Sequence, residues 1–72
     1  MRITKIKDIP LNKKVRIGGT IGNRWTRKAV GVFIKEGDKT IFYNDDNFSY
    51  CIEEALKVKD VLIIGIEEIK GD

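Results

Sequence analysis

The only tryptophan of the chain, Trp25, stands among Arg24, Arg27 and Lys28. Those residue types at that spacing suit one chemistry: an indole stacks on the face of a base while guanidinium and ammonium groups neutralise phosphates. A tryptophan in a loop can equally fold back onto the core as a lid. The two readings require opposite solvent exposure for Trp25. Phe33 and Phe42, on either side of Lys35-Glu36-Gly37-Asp38-Lys39, form a second aromatic group beside a cation.

Catalytic groups are scarce. With no histidine and a lone cysteine, Cys51, neither a Cys/His zinc site nor an intramolecular disulfide can be assembled. Asp45-Asp46 and Glu53-Glu54 are acidic pairs of the kind that serve metal or acid–base chemistry. Each pair is adjacent in sequence, with no histidine, nucleophile or lysine placed to work with it. No phosphate-cradling glycine loop occurs either. The expectation is a protein that is not an enzyme and uses no metal or other cofactor. Cys51 reads as a small buried hydrophobe.

The elements that must hold these residues follow from periodicity. Ile3, Ile6 and Ile9 recur at a spacing of three before Pro10, so residues 2–6 fit a short strand or one helical turn, a leader lying on the core. In Val15-Arg16-Ile17-Gly18-Gly19-Thr20-Ile21, Val15, Ile17 and Ile21 look one way and Arg16 and Thr20 the other; the glycines suit a strand that bends sharply and switches partners, or mark a bulge. Residues 22–28 read as a loop.

Gly37-Asp38 is a two-residue hairpin turn between strands over residues 29–34 and 40–43. Counting outward pairs Glu36 with Lys39, Lys35 with Thr40, Ile34 with Ile41, Phe33 with Phe42 and Val32 with Tyr43. Val30, Val32, Ile34, Ile41 and Tyr43 then share one face, read as the core. Phe33, Phe42, Lys35, Gly31 and Thr40 share the other, where the phenylalanines could stack on bases and Gly31 leaves room for a ring. A slip of register, or a cover from the leader or a partner chain, would reverse that assignment.

After the turn-forming Asn44-Asp45-Asp46-Asn47, a helix is expected with Asn47 or Ser49 as its cap and Phe48, Ile52, Ala55 and Leu56 on its inner stripe. Residues 61–66, apolar throughout, read as a central strand buried on both sides or bent around Gly65, with Glu67-Glu68-Ile69-Lys70 as its continuation.

Charge divides along the chain. Residues 1–43 carry eleven Lys/Arg against three acids, and residues 44–72 carry three against eight, giving +8 and −5 within the net +3. One basic and one acidic pole attract a polyanion to one side; alternatively the two signs meet in the fold as a salt-bridged surface. The 72 residues make one domain. Its N-terminus builds no apolar run, so neither signal peptide nor membrane span is expected, and the protein is read as cytoplasmic. Abundant Ile, Lys and Glu with little Cys, Met and Gln lean toward a thermophilic prokaryote, archaea included.

In order, the elements are strand, loop, strand, tight turn, strand, helix, strand. With Val15 to Ile21, Gly31-Val32-Phe33-Ile34, Lys39-Thr40-Ile41 and Glu54 to Gly65, the chain resembles the OB-fold domains of the anticodon-binding and replication-protein-A-like group, over roughly residues 12–66. The resemblance implies a mainly β, small barrel with one helix between the third and fourth strands. The Lys57-Val58-Lys59-Asp60 turn lacks that group's glycine, and about six residues after Ile66 are too few for a full fifth strand. The barrel is then open, or closed by the N-terminal segment or a second copy.

The implied ligand surface holds Arg24, Trp25, Arg27, Lys28, Phe33, Lys35 and Phe42, with Arg16 and Thr20 beside them. The leading expectation is a non-catalytic module for single-stranded DNA or RNA. The alternative is a barrel whose aromatic face is a protein interface, in a homodimer or a larger complex.

Overall fold

Two glycine-led turns fold the middle of the chain into a meander. Gly22 and Gly37 both adopt φ 65, the left-handed region open to glycine at no steric cost. They connect β2 (Lys14–Ile21), β3 (Arg24–Glu36) and β4 (Lys39–Asn44). The computed structural model describes residues 1–46 and 49–70. It adds β1 (Arg2–Ile3), a single 3-10 turn (Ile6–Asp8), β5 (Ser49–Cys51), α1 (Ile52–Leu56) and β6 (Leu62–Glu68). The leader is thus both of its expected alternatives, a short strand followed by one helical turn.

The strands form one six-stranded antiparallel sheet in the order β1-β6-β2-β3-β4-β5. Within it, β6-β2-β3-β4 is a Greek key, three hairpin-connected strands with a later one returning beside the first. β1 and β5 are its edges, and no pairing joins them among the described residues. The expected barrel is therefore an open sheet here. The N-terminal segment only begins to fill the gap, placing Arg2 and Ile3 opposite Gly65 and Ile64.

The helix lies elsewhere than expected. Ser49-Tyr50-Cys51 pairs with Tyr43-Phe42-Ile41 as a strand, so α1 follows five strands rather than three and is N-capped by Cys51 with no side-chain cap. Cross-strand partners override local helix propensity here. Of the expected inner stripe, Ile52 is buried and Ala55 and Leu56 pack against the core; Asn47 and Phe48 lie outside the described residues. α1 also finishes the sheet edge that β5 leaves uncovered. The Thr40 backbone N–H, with its residue buried, donates to Glu53 Oε1 at 2.6 Å.

The hairpin register is the one counted from Gly37-Asp38, Glu36↔Lys39 through Phe33↔Phe42 to Val32↔Tyr43. Its faces are reversed. Phe33, Phe42 and Thr40 are buried, whereas Val30, Val32, Ile34 and Ile41 are half-buried and Tyr43 is exposed. The two phenyl rings sit 4.8 Å apart at 51°, a tilted pair worth about 0.5–1.5 kcal/mol beyond the area it buries. Gly31 leaves room first for the β4 backbone: a Cβ there would collide with the Tyr43 carbonyl and the Asn44 Cα, and it would stand 2.9 Å from the chain's own Phe42 ring. The core they join holds Ile3, Ile9, Val15, Ile17, Ile21, Ile52, Leu62, Ile64 and Ile66.

β6 is likewise buried on one face only, Leu62, Ile64 and Ile66 pointing in and Ile63 and Gly65 out. β2 keeps both neighbours along its length, so its glycines mark a bulge and not a change of partner. Cys51 is half-buried.

Candidate functional site

Register lays out the face opposite the core in rows. One row runs Glu67–Arg16–Val30 across β6, β2 and β3, and another Ile63–Thr20–Trp25. Between them Gly65 pairs with Gly18, and Arg2 of β1 pairs with Gly65. Glycines make this middle row low, because backbone alone forms its floor. The result is a trough of about 550 Å³ bordered by Trp25, Arg16, Lys28, Thr26, Glu67 and Met1.

The bulge decides which side chains enter it. Ile17 pairs with Ala29 and Gly19 with Thr26, so Arg27 and Lys28 together oppose Gly18. Bulges re-aim side chains: Lys28 turns to the trough, its Cγ 3.6 Å from where a Gly18 Cβ would stand, and Arg27 lines the far side of β3. Thr26 fastens the irregularity by donating from Oγ1 to the Gly19 carbonyl at 2.9 Å. Gly19 itself has φ 144, and a Cβ on it would collide with the Ile63 carbonyl.

Residues 24–28 are strand, not loop; the loop shrinks to Gly22-Asn23. That turn is anchored, with Gly22 N–H donating to the Val61 carbonyl at 2.7 Å and no room for a Cβ, which would collide with the Ala55 carbonyl. Trp25 is 85% exposed, so of its two readings the lid is excluded. Its indole stands clear of the core on β3.

Of the expected site residues, Trp25, Lys28 and Arg16 meet at the trough, and Arg24 and Arg27 line the other side of the same strand. Phe33 and Phe42 belong to the core and leave the exposed set. Lys35 is ten residues from Trp25 on β3, up to about 33 Å along an extended strand, and does not join it. Arg2, Gly18 and Gly65 were missed. The Arg2-Ile3 alternation could have signalled Arg2, since Ile3 points inward.

Electrostatics narrow the set further. The two charge poles meet in part: Lys13–Glu68 at 3.2 Å, Lys14–Asp45 at 3.5 Å, Arg16–Glu67 at 3.8 Å and Lys39–Glu54 at 3.4 Å. Exposed pairs of this kind contribute about 0–1 kcal/mol each, but they offset charge locally. Arg2, Arg24, Arg27, Lys28 and Lys35 have no ion pair among the described residues. Three of the four acids in the two pairs have structural partners: Asp45 binds Lys14, Glu53 caps β4, and Glu54 reaches Lys39 and Lys57.

Among the described residues no group of three acidic or thiol side chains is placed to hold a metal ion, and no helix is long and apolar enough to cross a membrane. Burial raises the Tyr50 pKa, and the nearby Arg24 charge lowers it in part. Compared with known proteins, the chain matches no family model, no curated protein and no solved structure.

Proposed function

We propose that this protein is a small non-catalytic module that binds single-stranded nucleic acid at the Trp25 trough. One observation carries the reading: an exposed indole on β3 borders a backbone-floored trough with Lys28, unpaired among the described residues, and the Glu67-paired Arg16 at its sides and Arg2 in the same row. A base stacks on the indole while the cations take the phosphates either side of it. Glycines in the floor let the ligand approach the sheet closely. The β6-β2-β3-β4 Greek key supports an OB-like architecture, from which the open sheet and the place of α1 depart.

Replacing Trp25 with Ala tests this. If a base stacks there the change costs about 1–3 kcal/mol of binding to a single-stranded oligonucleotide. Because the ring is exposed, folding is unaffected; unchanged affinity would remove Trp25 from the site.

A second reading is favoured by the half-buried apolar strip of Val30, Val32, Ile34 and Ile41 with exposed Tyr43. Such a strip suits a protein partner, a second copy or a larger complex. Mass that rises with concentration and ignores salt would favour it.

A further inference from the structure

Trp25 and Thr26 border two depressions at once. One is the trough; the other is a pocket of about 260 Å³ on the opposite side of β3. Ile17, Ala29, Tyr50 and the edge of Phe42 give that pocket apolar walls, and Arg24 and Arg27 also line it. Both arginines are exposed and neither has an ion pair among the described residues.

An apolar slot with an aromatic wall accepts a flat ring. Guanidinium groups are planar forks that match phosphate oxygens two at a time and stack on rings. Together they describe a ligand with an aromatic body and a phosphate. The tryptophan common to both depressions gives such units a way to be joined, since one strand could cross the ridge at Trp25.

We infer that this pocket is a second nucleotide subsite: a base lies against Tyr50 and Ala29, its phosphate lies between Arg24 and Arg27, and the strand crosses Trp25 to place the next base in the trough. The inference rests on the nucleic-acid reading above and adds a two-subsite footprint to it. The two subsites are tethered by one ligand backbone, so a linked strand binds far more tightly than a mononucleotide at equal nucleotide concentration.

Amide NMR of the whole chain, titrated with oligothymidylate and separately with thymidine monophosphate, tests the assignment. Oligothymidylate should move the resonances of Gly18 and Gly65 together with those of Arg27, Ala29 and Tyr50, with the monophosphate much weaker. Arg27→Gln should weaken oligonucleotide binding roughly five- to tenfold, the loss of one charge-assisted contact, and its dispersed spectrum would verify the fold. Shifts confined to Gly18, Gly65 and Trp25, or an Arg27→Gln variant of full affinity, would overturn the second subsite and leave the trough standing. No shift anywhere would overturn the nucleic-acid reading itself.

Discussion

Trp25 and Phe33 sit eight residues apart on β3 and face opposite ways, Trp25 into solvent and Phe33 into the core. Regular alternation would put them on one face. The bulge where Arg27 and Lys28 oppose Gly18 reverses the parity between them, so one strand offers an aromatic ring to each side. The exposed site and the core of this small sheet both depend on that irregularity.

Phe33 and Phe42 therefore act through stability. Phe33→Ala or Phe42→Ala should each cost about 3–5 kcal/mol in denaturant unfolding, a large part of the roughly 4–11 kcal/mol available to a domain of this size. Loss of oligonucleotide binding with unchanged stability would instead return the pair to the ligand surface.

That reversal marks how far the sequence could be read. The Gly37-Asp38 turn fixes the β3–β4 pairing through local geometry, and every expected pair is present. The choice of face is not local. It is made by β2, where buried Val15 pairs with Gly31 and so places the Phe33 side inward. Counting four aliphatic residues and Tyr43 against two rings pointed the other way, yet two rings with Gly31 and Thr40 fill the inner side. β5 was hidden for a similar reason, as three residues show no period and become a strand only by pairing with β4. The basic residues around Trp25 were legible because composition alone marks them; the trough beneath them needed the Gly18↔Gly65 pairing.

Gly22 combines a positive φ with close approach to Ala55. Gly22→Ala should destabilise the protein by about 1–3 kcal/mol in thermal or chemical unfolding. A neutral substitution would mean that the β2–β3 turn is not pinned against α1.

The Glu53 carboxylate satisfies the Thr40 N–H at an uncovered stretch of β4. Glu53→Ala should cost about 1–3 kcal/mol by leaving that donor unmet, while Glu53→Gln, which keeps an acceptor, should cost less. Equal stability of both variants in urea titrations would show that water serves as well.

Both tyrosines titrate late. Some loss of hydration at the sheet surface, then its hydrogen bond to Glu36 at 3.2 Å and the charge of Glu36, raise the Tyr43 pKa above 10.0; burial raises that of Tyr50, against Arg24. A folded pKa above the unfolded one means that the native state holds its protons longer. The stability this contributes is fully present below about pH 10 and is lost as pH rises through the folded values. Phenolate absorbance should therefore appear at higher pH in native protein than in denaturant, and coincident curves would contradict the packing of Tyr50.

The measurement that bears most directly on the central claim is the fluorescence of Trp25, the sole tryptophan, titrated with a single-stranded oligonucleotide at low and moderate salt. The account predicts red-shifted emission in the free protein, quenching on binding, and an affinity whose logarithm falls with that of salt at a slope of about −3 for four phosphate contacts. Emission that is already blue-shifted, or that ignores the oligonucleotide at low salt, would contradict it.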